Sequence, residues 1–247
     1  DMVCEKNSDV EFDFDNDPIR TRIDGEWVRA EGTTLGADCG IGMAAALAVM
    51  LDETVEHGPV EALFTVDEET GLTGAFELGE GMLTGKYLVN LDSEDEGEIF
   101  IGCAGGIDTI ATFHYTMEPS PKNYTFFRVD VSDLQGGHSG DDIDKGRVNS
   151  NKTVARLLWD GMQSFELKLC YFNGGNLRNA IPREAYAIFG VPVRFKEEFV
   201  KRYNLFAADL EAEFRFREPN FKITLNEMPH VDEVLDSRTQ SALVYSL

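Results

Sequence analysis

The sequence predicts an α/β fold in two parts, and three observations carry that prediction. Between Thr33 and Asp92, helix-forming and strand-like apolar stretches alternate as they do in βαβ units. From about Gly105 the pattern changes to strands alternating with longer helices, which marks a second, α+β domain. The third is size: 247 residues with 43% hydrophobic content suffice for one large or two ordinary cores.

Residues 1–31 are acidic and rich in turn formers. Asp13, Asp15 and Asp17 mimic the first ligands of a calcium loop, but Pro18 stands where that loop needs glycine and Asp24 where it needs glutamate. A solvated acidic loop followed by a hairpin over 23–28 is the better reading. Next comes Gly-Thr-Thr-Leu-Gly-Ala-Asp-Cys-Gly-Ile-Gly-Met, residues 32–43, which sets Asp38 among glycines at a helix start. The helix itself, Ala44 to Leu51, is apolar almost all round and therefore expected to be buried, with Gly58-Pro59 as its stop and His57 at its end. Gly40-Ile41-Gly42-Met43-Ala44-Ala45 fits a dinucleotide fingerprint, but no apolar strand leads into it, and Asp38 would sit where a pyrophosphate must approach.

Val60–Val66 reads as a strand that delivers Asp67-Glu68-Glu69 at its carboxyl end, and Lys86–Leu91 as a second that delivers Asp92-Ser93-Glu94. Ligands bind at the carboxyl ends of strands in open α/β sheets. Asp38, Glu68, Glu69 and Asp92 are thus expected to converge on one crevice. Carboxylates brought that close repel and take up protons unless a cation neutralises them, so the constellation predicts a metal site.

In the second part, strands are expected at Ile107–Tyr115, Phe126–Val131 and Leu167–Phe172, and helices near 151–165 and 196–216. Two glycine-rich loops, Gly136-Gly137-His138-Ser139-Gly140 and Gly174 to Pro182, punctuate them. His138-Ser139 does not make a nucleophile elbow, because Asp141 occupies a required glycine position.

The 45 acidic against 22 basic residues, a net charge of -23, argue against nucleic acid and anionic membrane surfaces as partners. No apolar run reaches transmembrane length. Cys4, Cys39, Cys103 and Cys170 are widely spaced and read as free thiols of a reducing compartment, which makes the expected location cytoplasmic.

These residues resemble the dizinc metallopeptidases related to aminoacylase and glutamate carboxypeptidase, and within them the aminoacyl-histidine, carnosinase-like dipeptidases. The carriers are Gly32–Asp38, Glu68-Glu69, Asp92-Ser93-Glu94 with Gly97-Glu98-Ile99, Gly102–Asp108, Gly136–Gly140 and Asn179–Glu184. The resemblance implies a partial catalytic domain over 1–105 and a partial lid and dimerisation domain over 106–247. It implies two zinc ions, replaceable by Mn²⁺ or Co²⁺, with Asp38 bridging them, Glu69 and Asp92 each completing one, and Glu68 as general base. It also places Asp1 in the catalytic set, His138 and Asn179 on the substrate, and a homodimer around a dipeptide-cleaving site.

Two departures stand out. Cys39 follows the bridging Asp where Asn or Asp is usual, and Asp1-Met2-Val3 looks like the tail of a His-x-Asp-Met motif without its histidine. A closing zinc-ligand histidine also has no match before Leu247, which leaves a carboxylate set better suited to Mg²⁺ or Mn²⁺. The expectation is therefore an internal fragment of a longer enzyme, inactive by itself, with exposed apolar surface and poor solubility. The alternatives are a related aminoacylase or tripeptidase, or a non-catalytic lid or binding module.

Overall fold

Thr21–Asp24 (β1) and Trp27–Ala30 (β2) pair antiparallel around Gly25, whose φ of +64° is the conformation that the first position of a two-residue hairpin turn requires. They belong to a computed structural model that describes residues 2–36, 39–93, 97–103 and 105–247. The chain divides into two compact units, Asp1–Gly105 and Gly106–Leu247.

In the first unit the hairpin is followed by Gly40–Leu51 (α1), Glu68–Gly71 (α2) and Thr73–Phe76 (α3). The amino-terminal segment pairs with the stretch before α1: Asn7 donates its N–H to Gly32 at 3.0 Å and Thr34 donates to Glu5 at 2.9 Å. The acidic loop is solvated, as expected, and organised by Asp13, whose carboxylate accepts from the Asn16 side chain and the Asp15 backbone. Those bonds, the Asn16 one foremost, hold the Asp13 carboxyl below the usual carboxylate range.

Four expectations fail here. Val60–Val66 and Lys86–Leu91 are not strands, and α1 is exposed rather than buried: of its residues only Gly42 is buried, while Ile41 is 81% exposed. α1 also ends at Leu51, short of Gly58-Pro59, so His57 lies beyond it. The reason is shared. A strand exists only where a neighbour takes its N–H and C=O groups, and an apolar helix is buried only where another layer covers it. Among the described residues of this unit no strand pairs with either stretch and no layer covers α1.

The second unit has its own core. Its strands are Met117–Pro119 (β3), Tyr124–Ser132 (β4), Lys168–Gly174 (β5), Ala185–Pro192 (β6), Lys222–Met228 (β7) and Glu233–Leu235 (β8). Its helices are Ser150–Ser164 (α4), Lys196–Phe214 (α5) and Ser237–Ser246 (α6). Four strands form an antiparallel sheet in the order β5-β6-β4-β7, and β3 pairs with β8. Ile107–Tyr115, expected as a strand, is irregular, and His114 is therefore not in a strand.

Along β4, Phe127, Val129 and Val131 are buried and alternate with Arg128 and Asp130, the period of a half-covered strand. α4 buries Val154, Leu157, Leu158 and Gly161, one helical stripe, against this face. α5 contributes Phe199, whose ring lies 5.5–5.6 Å from those of Phe127, Phe165 and Phe189. At the β5 edge, buried Gln240 of α6 accepts from the Leu169 N–H at 2.8 Å and donates to the Leu167 carbonyl at 3.0 Å. One side chain thus satisfies backbone groups that the edge leaves over. Burial pushes the Cys170 thiol up to about 12, so it packs as an apolar group.

Candidate active site

The expected site residues fall in both units. In the first, Glu68 and Glu69 occupy the one turn of α2, Glu68 exposed and Glu69 half-buried. The turn is flanked by Asp67 and Leu72, both left-handed with φ of 57° and 61°, and closed by a bond from the Gly74 N–H to the Val66 carbonyl at 3.1 Å. Left-handed backbone at a leucine is strained, and strain of this kind persists where the surroundings impose it. Asp92 is exposed, and its N–H is held by the Asn90 side chain at 3.1 Å. Cys39, at the start of α1, points its Sγ to the Leu91 carbonyl at 3.1 Å. The thiol therefore joins the glycine-rich stretch to the residue before Asp92, two segments far apart in sequence.

Asp1 and Asp38 lie outside the described residues. Among the described residues no three His, Cys, Asp or Glu side chains form a group able to hold a metal. Glu69 and Asp92 offer oxygen donors, which suit a divalent cation, but lack the nitrogen or sulfur donors that usually accompany zinc. The described donor set alone does not fit a zinc pair.

In the second unit the geometry is specific. The two glycine-rich loops are joined by backbone bonds: Ser139 donates to the Asn179 carbonyl at 2.8 Å, Ile181 donates to the Gly137 carbonyl at 2.8 Å, and His138 bridges Ala180 antiparallel. The backbones of His138 and Asn179 thus lie in one short ladder that joins the two loops. Nδ1 of His138 accepts from the N–H groups of Gly140 and Asp141 at 3.1 and 3.3 Å. In the neutral ring that leaves the proton on Nε2, which makes this imidazole a hydrogen-bond donor at its outer nitrogen.

Asp142 was not visible in the motif reading, although it stands four residues from His138. Its carboxylate accepts the His138 N–H at 2.8 Å, and its own N–H returns to the His138 carbonyl at 3.1 Å. The bond from Lys145 and that from His138 hold the Asp142 carboxyl below its ordinary range. A β-carbon at Gly137, where φ is +145°, would collide with that carboxylate, so this position needs glycine. Beside the loops opens a cleft of about 660 Å³ whose lining includes Arg147, Lys152 and Arg178 and no acidic residue. Arg178 is also paired with Asp108 at 2.9 Å.

The order of these motifs defines a class, and the comparison agrees: the chain belongs to peptidase family M20/M25/M40, matched over residues 1–240. It is 44% identical over 244 residues to the cytosol non-specific dipeptidase of Escherichia coli, covering 99% of this chain and 50% of that one. It is likewise 44% identical to aminoacylhistidine dipeptidase from Vibrio alginolyticus, on whose crystal structure it superposes with a TM-score of 0.67, covering 100% of this chain and 50% of that one. The chain thus spans about half the length of these relatives. The mixed α/β architecture is the one expected. No helix among the described residues is long and apolar enough to cross a membrane.

Proposed function

We propose that this protein hydrolyses the peptide bond of dipeptides, Xaa-His dipeptides preferentially, as a cytosolic homodimer joined through residues 106–247. The reading is carried by the match to a dipeptidase along 99% of the chain. The preference for Xaa-His is the finer step: one relative is named for it and the other is non-specific. On this reading residues 1–105 are part of the catalytic domain and 106–247 part of the lid.

Two zinc ions, held by Asp38, Glu69 and Asp92 together with ligands from outside this set, would supply a water of lowered pKa and an electrophile for the scissile carbonyl. Glu68 takes the proton from the attacking water and hands it to the leaving amine. Asp1 belongs to the catalytic set through the His-x-Asp-Met resemblance. His138, donating from Nε2, stabilises the oxygen of the carbonyl as negative charge develops there, a contribution of about 3 kcal/mol per donor in comparable sites. Asn179, on the loop joined to that of His138, grips the substrate.

The test is hydrolysis of β-alanyl-histidine and other dipeptides, with metal content, by the full-length gene product and its Glu68→Ala variant. Wild type should cleave, and the variant should keep its metal while losing about 100- to 10,000-fold in kcat. A full-length wild type that binds no metal or cleaves no dipeptide would overturn the reading in favour of a binding module.

A further inference from the structure

Glu218 is 2% exposed, although its neighbours Arg217 and Pro219 are exposed. One of its carboxylate oxygens accepts the Gln135 N–H at 2.8 Å, and the other accepts the Val148 N–H at 3.2 Å. Gln135 and Val148 are the residues on either side of the 136–147 loop that carries His138. We infer that Glu218 is the positioning residue of the His138 loop: one buried carboxylate fixes both of its ends.

The chemistry favours this device. Bonds from backbone N–H groups to an ionised carboxylate are shorter and stronger than neutral ones, and the two oxygens hold their donors at a fixed separation. Burying that charge is costly without such partners, so the position is not one that chance burial would fill. The loop is also tied to the 174–182 loop at residues 137 and 139, through the Ile181 N–H to the Gly137 carbonyl and the Ser139 N–H to the Asn179 carbonyl, while Glu218 holds its two ends. Glu218 is itself held at the end of α5, where its N–H donates to the Phe214 carbonyl at 2.8 Å and its carbonyl accepts from Phe221 at 3.1 Å. A second strut runs parallel: the Gln135 side chain donates to the Arg217 carbonyl and accepts from Arg147. Arg147, bonded to Gln135 and 3.8 Å from the Asp142 carboxylate, links the loop ends to the residue that accepts the His138 N–H. Glu218 touches neither imidazole nor substrate, and acts through the loop.

The catalytic consequence rests on the role proposed above for His138, so the experiment has an arm that does not. Glu218→Gln keeps the shape but puts an amide donor against one of the two N–H groups. The variant should move the imidazole ¹⁵N shifts of His138, which in wild type report the Nε2–H tautomer, toward values averaged over both tautomers, and in the full-length enzyme should lower kcat about 10- to 100-fold with metal content unchanged. Val191→Ala, a core change in β6 opposite Thr125 at the end of β4 away from the loop, should lower Tm while leaving both the ¹⁵N signals and kcat as they are. If Glu218→Gln lowers only Tm, as Val191→Ala does, the positioning role is overturned. If full-length wild type cleaves no dipeptide, the functional reading falls and the ¹⁵N arm still decides the positioning. Should Glu218→Gln not fold, hydrogen exchange of wild type decides: the Gln135 and Val148 amides should exchange at least about 10-fold more slowly than that of Gly140, and equal rates would overturn the inference.

Discussion

Val60–Val66 and Phe126–Val131 are similar apolar stretches of strand-forming residues, yet only the second is a strand. Phe126–Val131 has β6 on one side and β7 on the other, and α4 and α5 over one face. Val60–Val66 has no ladder among the described residues, and Val66 is 69% exposed. The described cores lie in the second unit, whose sheet and helices cover each other, while α1 and the apolar stretches of the first are displayed. What a stretch becomes depends on whether its unit supplies the neighbour, because the backbone and the apolar face both need one.

The largest effects should expose that contrast directly. Phe189, fully buried in β6, should cost about 3–5 kcal/mol when replaced by alanine. Leu88, 83% exposed in the first unit, should cost under about 0.5 kcal/mol. Urea denaturation of the two variants checks this. A loss at Leu88 close to that at Phe189 would mean that Leu88 is covered in solution, and the contrast between the units would collapse.

The same contrast explains what could be read from the sequence. The helices near 151–165 and 196–216 and the strands near 126–131 and 167–172 were legible because their amphipathic period matches a core lying inside the same unit. The strands at 60–66, 86–91 and 107–115 were misread because periodicity reports a face that wants covering and says nothing of what covers it. For the site, motif order identified the family and singled out the two loops that carry His138 and Asn179, which backbone bonds join. Asp142 and Glu218 were not legible. Asp142 acts through a local bond common to many loop carboxylates, and Glu218 meets the loop only through the turn after α5, which no spacing encodes.

A smaller effect separates the helix starts of the two units. Asn149 caps α4 by accepting the Lys152 N–H at 3.2 Å, whereas Cys39 at the start of α1 makes no such bond. Asn149→Ala should cost about 1 kcal/mol, and Cys39→Ala should stay within about 0.5 kcal/mol. Thermal melts of both variants measure the difference. Equal losses would show that the thiol bond to the Leu91 carbonyl anchors α1 as firmly as a cap anchors α4.

The smallest effect is local and appears only in acid. The Asp236 carboxyl is lowered to about 2 by its bonds to Thr239, with further N–H bonds from Thr116 and Arg238. Because its folded pKa is depressed, the stability it lends is present above the ordinary carboxylate value near 3.8 and is lost as pH falls toward 2. Asp236 joins Thr116 to the start of α6, segments 120 residues apart, whereas Asp13, also lowered, binds residues two to four positions away. Acid should therefore loosen α6 and its grip on the β5 edge, while protonation of Asp13 relaxes only its own turn. Hydrogen exchange at about pH 5 and about pH 2 should show α6 protection falling in wild type. It should change much less in Asp236→Asn, which keeps the cap acceptor without a titrating group. An equal fall in both proteins would place the acid-sensitive link elsewhere in the unit and remove Asp236 as the carboxylate that ties α6 to Thr116.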